Sequence, residues 1–230
     1  MRTRAGIVLQ ARVASTRLPG KALALLAGRP LLEHCLRRLV AAGVAHVVLA
    51  TTDRPEDAPL VAIARRLGLG VYCGDGDDVL GRYVAAAAAF ELDPVVRATG
   101  DNPGVDSLAA GRTLAVLRET GADYVCEAGL PVGAAVEGIR ADALRRAAAL
   151  ASTAYDREHV TTFVKSHPDL FRLVVTDAPV PLRRPDLRLT VDTPADLAWI
   201  RELWARTGRE QPALADLIDV AGRHPARDVA

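Results

Sequence analysis

Near its start the chain carries an apolar run, Ala5-Gly-Ile-Val-Leu-Gln10, that continues into a long loop, Ala11-Arg-Val-Ala-Ser-Thr-Arg-Leu-Pro-Gly-Lys21. The run is short, apolar and partly β-branched, and it predicts a buried strand. A helical pattern with one apolar face follows from Pro30, and Gly43 ends it. A strand followed by a loop and a helix is the unit from which parallel α/β sheets are built.

The same unit recurs further along the chain. Apolar runs that each precede a segment of helical period lie at 46–51, 71–73 and 95–98. Ser107 is expected to cap the helix after the last of these runs. Later strands are predicted at 124–126, 136–140, 170–175 and 189–191, and later helices at 141–151, 156–166 and 194–206. The pattern predicts a doubly wound α/β domain over residues 1–208, to which residues 209–230 add a C-terminal helix and tail.

The composition is that of a folded protein without a bulk charge. Half of the 230 residues (50%) are hydrophobic, and 29 Lys and Arg against 28 Asp and Glu give a formal net charge of +1. A near-neutral chain offers no overall polycation, so we expect neither nucleic acid nor a membrane as a partner. The three cysteines, Cys35, Cys73 and Cys126, form no C-x-x-C pair, which indicates reduced thiols and a cytoplasmic location.

The loop after the first strand predicts an anion site. The first 32 residues contain six basic residues and no Asp or Glu. Three of these cations, Arg12, Arg17 and Lys21, lie along the loop at the end of a strand, where open α/β sheets bind ligands. A P-loop is excluded, because Ser15 and Ala22 stand where the Walker A pattern requires Gly and Ser or Thr. The alternative is an exposed basic loop that binds no ligand. The spacing of the three cations along the loop favours triphosphate binding over this alternative.

Two aspartates come directly after predicted strands. Asp101 stands in Thr99-Gly-Asp-Asn-Pro103, where Gly100 is expected to allow a sharp turn, and Asp192 stands in Leu189-Thr-Val-Asp-Thr-Pro194. Either aspartate alone is more typical of a turn or a helix cap. Together, beside a basic loop at the same sheet edge, they predict a magnesium site, since Mg²⁺ takes one or two protein carboxylates and completes its shell with water and phosphate oxygens.

A third acidic motif, Asp75-Gly-Asp77, keeps a different enzyme class open. The Asp-x-Asp pattern holds a metal and a nucleotide-sugar in many glycosyltransferases of the GT-A type. A Gly-Asp turn that caps the following helix explains the same residues and is the favoured interpretation. A nucleotide-sugar-binding protein without turnover is a third hypothesis.

Together these motifs resemble the cytidylyltransferases that activate acidic sugars, and most closely the bacterial family that includes spore-coat polysaccharide biosynthesis protein F. The resemblance extends from Ile7 to about Arg201. It is carried by the basic loop, by the two aspartate motifs, and by Gly28-Arg-Pro-Leu-Leu-Glu-His34, Asp77-Asp-Val-Leu80, Arg82-Tyr83 and Glu158-His-Val-Thr161.

The resemblance implies a nucleotide-diphospho-sugar transferase fold, in which a Rossmann-like, mixed and mostly parallel sheet is flanked by helices. It also implies transfer of CMP from CTP to a small acidic acceptor with release of pyrophosphate, with Mg²⁺ as the cofactor and a homodimer as the assembly. By matching position, Lys21, Arg12 and Asp101 are implied to be catalytic, and Asp101 and Asp192 to bind the metal. The implied nucleotide-binding residues are Gln10, Ala11, Arg12, Ser15, Arg17, Lys21, Thr99 and Asp101.

The acceptor side is implied to consist of Gly133, Glu137, Glu158 and His159. Helical spacing places Glu158 and His159 on different faces, so we expect at most one of them to face the ligand. The acceptor is an acidic sugar, a sugar phosphate or a phosphonate, and the sequence leaves these three open. A nucleotidyltransferase that uses a different NTP remains the other alternative to the CTP-dependent reaction.

Overall fold

A mixed sheet forms the centre of the fold in the computed structural model, which describes residues 4–223. The strands are β1 (Arg4–Gln10), β2 (Leu25–Leu26), β3 (Arg29–Pro30), β4 (His46–Thr52), β5 (Gly70–Gly74), β6 (Leu92–Thr99), β7 (Tyr124–Ala128), β8 (Glu137–Ile139) and β9 (Leu173–Asp177). Seven of them pair in the order β5-β4-β1-β6-β8-β7-β9, and β2 and β3 form a separate hairpin. In the large sheet, β8 is antiparallel to both of its neighbours and the other pairs are parallel. The predicted α/β class with a mostly parallel sheet is confirmed.

Helices cover both faces of this sheet. They are α1 (Leu31–Val40), α2 (Ala58–Arg66), α3 (Val79–Ala89), α4 (Ala109–Thr120), α5 (Ala141–Leu150), α6 (Ala154–His159), α7 (Thr162–Ser166), α8 (Pro194–Thr207) and α9 (Leu214–Arg223). In β1, Ile7 and Leu9 pack in the core that includes α1, α2, α4, α8 and α9, whereas Val8 packs in the core that includes α3, α5 and α7. All three side chains are fully buried. Because side chains alternate along a strand, a strand buried on both faces is a continuous apolar run.

The predicted helix over 156–166 is two helices, α6 and α7. Val160 lies between them with a φ of 57°. A non-glycine residue in the left-handed region cannot continue a right-handed helix, so the chain turns at this point. The break leaves His159 at the end of α6.

Two further local predictions differ from the structure. The predicted strand at 189–191 is irregular, and its neighbourhood forms an isolated bridge between Val132 and Arg188. Ser107 does not cap α4, which begins after Leu108, and Asp106 Oδ1 accepts the Leu108 N–H at 3.1 Å. An aspartate one position earlier therefore supplies the acceptor expected from the serine.

The C-terminal helix, α9, packs into the same hydrophobic core as the preceding helix, α8. Leu214 and Leu217 of α9 are buried in the same cluster as Trp204 of α8. The boundaries 1–208 and 209–230 stay a prediction, and their ends at residues 1–3 and 224–230 lie outside the described residues. Among the helices of residues 4–223, none combines the length and the apolar character needed to cross a bilayer.

Candidate active site

A cleft opens at the carboxyl ends of β1 and β6, which are adjacent parallel strands. Its volume is about 310 Å³. Its lining residues include Gln10, Ala11, Arg12, Ser15, Arg17, Lys21, Arg82, Arg97, Thr99, Asp101, Glu158, His159 and Asp192. The structure thus brings together all the nucleotide- and metal-binding residues expected from the sequence, at the edge where open α/β sheets bind ligands. Their individual roles stay predictions.

Lys21 lies at the centre of the charged groups in this cleft. Its Nζ donates to Asp101 Oδ2 at 2.8 Å, to Asp192 Oδ1 at 3.0 Å and to the Val191 carbonyl oxygen at 2.9 Å. The Lys21 side chain is 15% exposed. Three acceptors use all the donors of an ammonium group, so the side chain is held in one position.

Gly100 explains how Asp101 reaches this position. The Gly100 N–H donates to the Gln10 carbonyl oxygen at 2.8 Å, and a Cβ at position 100 would lie 2.8 Å from the Ala11 Cβ. The expected turn is present, but Gly100 is not among the glycines with positive φ, so the close approach to β1 requires it. Thr99 Oγ1 then donates to Asp101 Oδ1 at 2.6 Å and orients the carboxylate.

The segment that carries Asp192 is not part of a strand, and individual backbone hydrogen bonds hold it in position. The Val191 N–H donates to the Asp101 carbonyl oxygen at 2.9 Å, which ties the two aspartate segments together. Gly133, with a φ of 91°, supports this segment, because a Cβ there would lie 2.7 Å from the Thr190 backbone nitrogen. Only glycine permits both the conformation and the close approach. Gly133 does not line the cleft, and its acceptor-binding role stays a prediction.

Three cations surround the Asp192 carboxylate. Oδ1 contacts Lys21 and also Arg17 at 2.9 Å, and Oδ2 accepts from Arg188 Nη2 at 2.7 Å. Burial acts to raise the pKa of Asp192, but the hydrogen bond and charge of Lys21, with Arg17 and Arg188, outweigh it and lower the pKa. Asp192 is therefore ionised at neutral pH.

The two aspartates fit a divalent cation. Asp101 Oδ2 and Asp192 Oδ1 both lie within 3.0 Å of the Lys21 Nζ, so the two oxygens are close enough for one hydrated ion, which would replace the ammonium as their partner. Across residues 4–223, no group of three or more His, Cys, Asp or Glu side chains forms a metal cluster. The chain would then supply two hard carboxylate ligands and leave the other positions to water and substrate, which suits Mg²⁺.

Arg12 and Arg17 form ion pairs at the mouth of the cleft. Arg12 Nη1 donates to the Gly76 carbonyl oxygen at 3.2 Å, and Nη2 contacts Glu158 Oε1 at 3.2 Å. The Arg17 side chain is 65% exposed beside Asp192. Both guanidinium groups are positioned by partners that an incoming anion can replace.

Glu158 and His159 both line the cleft, so the expectation that at most one of them faces it is wrong. The periodic argument fails because α6 ends at His159, and Val160 turns the chain. The His159 ring also packs against the Tyr155 ring, with centroids 4.3 Å apart. Their acceptor-binding roles stay predictions.

Glu137 lies beside the cleft and does not line it. Its carboxylate accepts from Arg97 at 2.5 Å, Tyr124 at 2.5 Å, Thr161 at 3.0 and 3.1 Å, and Lys165 at 3.1 Å. Burial acts to raise its pKa, but the charges of Arg97 and Lys165 and the hydrogen bonds lower the pKa to about 2. Glu137 thereby ties β8 to β6, β7 and α7, and its acceptor-binding role stays a prediction.

Two further arginines, Arg82 and Arg97, line the cleft, and the sequence motifs assign no role to either. Arg82 is 3% exposed and donates to the Asp75 carbonyl oxygen at 2.6 Å, and burial lowers its pKa. Arg97 donates to Gln10 Oε1 at 3.3 Å as well as to Glu137. The signal for Arg97 was present, since it precedes Thr99 by two positions on β6 and thus shares its face.

The Asp75-Gly-Asp77 segment forms a turn. Asp75 Oδ1 accepts the N–H groups of Asp77 at 2.7 Å and Asp78 at 2.9 Å, and Asp78 caps α3 through Gly81. Neither Asp75 nor Asp77 lines the cleft. This geometry favours the turn-and-cap interpretation over a metal-binding Asp-x-Asp motif.

Comparison with known proteins gives concordant matches. The sequence profile of a family described as Cytidylyltransferase matches residues 5–221. The chain is 33% identical over 227 residues to the spore coat polysaccharide biosynthesis protein SpsF of Bacillus subtilis (strain 168), covering 95% of this chain and 94% of that protein.

The fold is similar to those of solved nucleotidyltransferases. A cytidylyltransferase from Leptospira borgpetersenii serovar Hardjo-bovis (strain JB197) has a TM-score of 0.90 at 27% identity, covering 97% of this chain and 96% of that chain. A CMP:2-keto-3-deoxy-manno-octonic acid synthetase complexed with CTP has a TM-score of 0.66 at 22% identity, covering 89% of this chain and 99% of that chain. The second match shows a shared fold.

Proposed function

Because the chain belongs to the cytidylyltransferase family, we propose that it transfers CMP from CTP to an acidic sugar, a sugar phosphate or a phosphonate, with Mg²⁺ as the cofactor. An acceptor oxygen, either an oxyanion or a hydroxyl that releases its proton to water, attacks the α-phosphorus of CTP. The bond from that phosphorus to the bridging oxygen breaks, and pyrophosphate leaves with the electron pair. The observation that carries the proposal is the Lys21 ammonium, held between Asp101 and Asp192 beside a loop without acids.

Arg12 and Arg17 bind the triphosphate in this proposal. Their side chains are 34% and 65% exposed, so their ion pairs with Glu158 and Asp192 are screened by water and are exchanged at little cost. Phosphate oxygens form charge-assisted, bidentate contacts with guanidinium groups. The acid-free loop offers these contacts without repelling the ligand.

Lys21 stabilises the leaving group. Its ammonium is held at the cleft before substrate binds, and an N–H group that one of the two carboxylates gives up would turn to the pyrophosphate as negative charge accumulates there. A Mg²⁺ ion held by Asp101 and Asp192 would supply further charge neutralisation at the phosphates. The ionised state of Asp192 keeps one of these ligands ready at neutral pH.

The acceptor is bound on the side of Glu158 and His159. When Arg12 contacts the triphosphate, Glu158 loses its partner, and its carboxylate becomes free to accept hydrogen bonds from acceptor hydroxyls. The acceptor oxygen must lie in line with the α-phosphorus and the leaving oxygen, so these side chains act by positioning.

The cytoplasm is the proposed compartment. Cys35, Cys73 and Cys126 are all free thiols, as expected of a protein from a reducing environment.

The test is pyrophosphate release from each of CTP, UTP, ATP and GTP over a panel of acidic sugars, sugar phosphates and phosphonates. We expect release from CTP only, dependent on one acceptor class and on Mg²⁺. Pyrophosphate release from another NTP would show that the assignment of CTP as the nucleotide substrate is wrong. Turnover of a nucleotide-sugar, without release from any NTP, would support the glycosyltransferase alternative.

A further inference from the structure

A second concave surface lies at the opposite end of β1 from the cleft. Arg4 and Ala5 line it at the start of β1, whereas Gln10 and Ala11 line the cleft at the other end. Its volume is about 600 Å³, and we call it the amino-edge groove. Its lining includes the apolar residues Pro94, Leu114 and Leu117 and the basic residues Arg4, Arg118 and Arg140.

Two of the groove's arginines have no partner in the part of the chain that the structure describes. Within residues 4–223, the side chains of Arg65, Arg118, Arg140 and Arg172 form no hydrogen bond or ion pair, whereas each other arginine forms at least one. Arg118 and Arg140 line the same groove. Since this chain pairs its arginines so consistently, two free guanidinium groups on one groove point to an anion from outside the described chain.

The acids at this edge pair with one of the groove's three arginines, Arg4, and leave Arg118 and Arg140 without an acidic partner among the described residues. None of the groove's lining residues is acidic. Glu91 contacts Arg4 at 3.5 Å, Asp93 Oδ1 accepts the Ala141 N–H at 2.9 Å, and Asp123 contacts Arg146 at 2.7 Å. The preceding residues, Met1-Arg-Thr3, add a cation and no acid, so that segment offers no complementary charge.

We propose that the amino-edge groove binds a small organic anion with an apolar body, of the alkyl phosphate class. The phosphate contacts Arg118 and Arg140, and the apolar part packs on Pro94 and Leu114. The volume is that of a small-molecule site, and the combination of apolar lining with a few polar groups is typical of such sites. A concave surface fits a single ligand better than it fits a flat lipid headgroup layer.

Gly111 provides a way to close the groove without disturbing the fold. It lies in α4 and lines the groove, and a Cβ at this position would meet no atom within 4 Å. Leucine is a strong helix former, so Gly111→Leu should be tolerated by α4 while its side chain fills the space.

The test is calorimetric titration of the full chain with hexyl phosphate, inorganic phosphate and hexanol. We expect saturable binding of hexyl phosphate, with weaker binding of the other two ligands. Arg118→Gln, Arg140→Gln and Gly111→Leu should each weaken binding of hexyl phosphate about tenfold or more. Arg65→Gln, which removes an unpaired arginine elsewhere, and Lys21→Ala, which removes the central cation of the cleft, should leave this affinity unchanged.

Equal affinity in the three groove variants and in the wild type would overturn the proposal, as would loss of binding in Lys21→Ala. If inorganic phosphate bound as tightly as hexyl phosphate, the apolar body would contribute nothing to binding, and the proposed ligand class would be wrong in that part. Binding to phosphatidylglycerol vesicles without binding of hexyl phosphate would replace the small ligand by a membrane surface. Circular dichroism of each variant verifies that it is folded, and no result depends on the transferase reaction.

Discussion

Asp101 and Asp192, which are distant in the sequence, contact the same ammonium group, with Lys21 Nζ 2.8 Å from Asp101 Oδ2 and 3.0 Å from Asp192 Oδ1. The Val191 N–H also donates to the Asp101 carbonyl oxygen at 2.9 Å, so backbone as well as side chains join the two segments. A change at either aspartate therefore alters the environment of the other.

Lys21→Ala should lower kcat/KM for CTP by about a hundredfold, or roughly 3 kcal/mol, because the lost contact strengthens as charge develops on pyrophosphate. Steady-state kinetics at saturating acceptor measure the effect. The matched control is Lys165→Ala, which removes the other lysine of the chain, 46% exposed beside Glu137, and should leave the KM for CTP unchanged. A folded Lys21→Ala enzyme with wild-type kcat/KM would contradict the assignment.

Asp101→Asn and Asp192→Asn should not be additive. If both carboxylates serve one cation, either change removes most of the site, and the double variant should be little slower than the slower single variant. A double-mutant cycle on kcat/KM measures the coupling. Additive losses would mean that the two aspartates act independently.

The triphosphate should dominate nucleotide binding. Arg12, Arg17 and Lys21 all face the cleft, so CTP should bind far more tightly than cytidine, and the difference should shrink as salt screens the charges. Calorimetric titrations at low and high salt measure both effects. Equal affinity for cytidine and CTP would show that the loop does not bind phosphate.

Glu137 should make the fold sensitive to acid. Its pKa is lowered from 4.5 to about 2, so its ionised form stabilises the native state above pH 4.5, and this contribution is lost as the pH falls towards 2. Urea unfolding should show that Glu137→Gln loses on the order of 3 kcal/mol at neutral pH and that the difference from wild type narrows as the pH falls below 4.5. Glu202→Gln, which breaks an exposed ion pair with Arg206, should have little effect on the free energy of unfolding, both at neutral pH and below pH 4.5. A Glu137→Gln difference that is independent of pH would be inconsistent with this account.

The sequence is most informative about functional side chains that come directly after a buried strand. Lys21 and Asp101 could be placed at one sheet edge because buried parallel strands are continuous apolar runs and their carboxyl ends meet. Asp192 was placed correctly for a partly wrong reason, since irregular backbone held by Gly133 replaces the expected strand. Such an approach between distant segments leaves no periodic signal, and neither does the break at Val160 that exposes His159 to the cleft.

The most direct test of the shared metal site is Mn²⁺ binding measured by electron paramagnetic resonance in the presence of CTP. Mn²⁺ reports on sites built from carboxylate, water and phosphate oxygens, which Mg²⁺ also prefers. We predict one bound ion per wild-type chain, and an affinity that falls about tenfold or more in both Asp101→Asn and Asp192→Asn while Asp75→Asn binds like the wild type. Unchanged Mn²⁺ affinity in the Asp101 and Asp192 variants, with loss in Asp75→Asn, would contradict the account and place the metal at the Asp75-Gly-Asp77 turn.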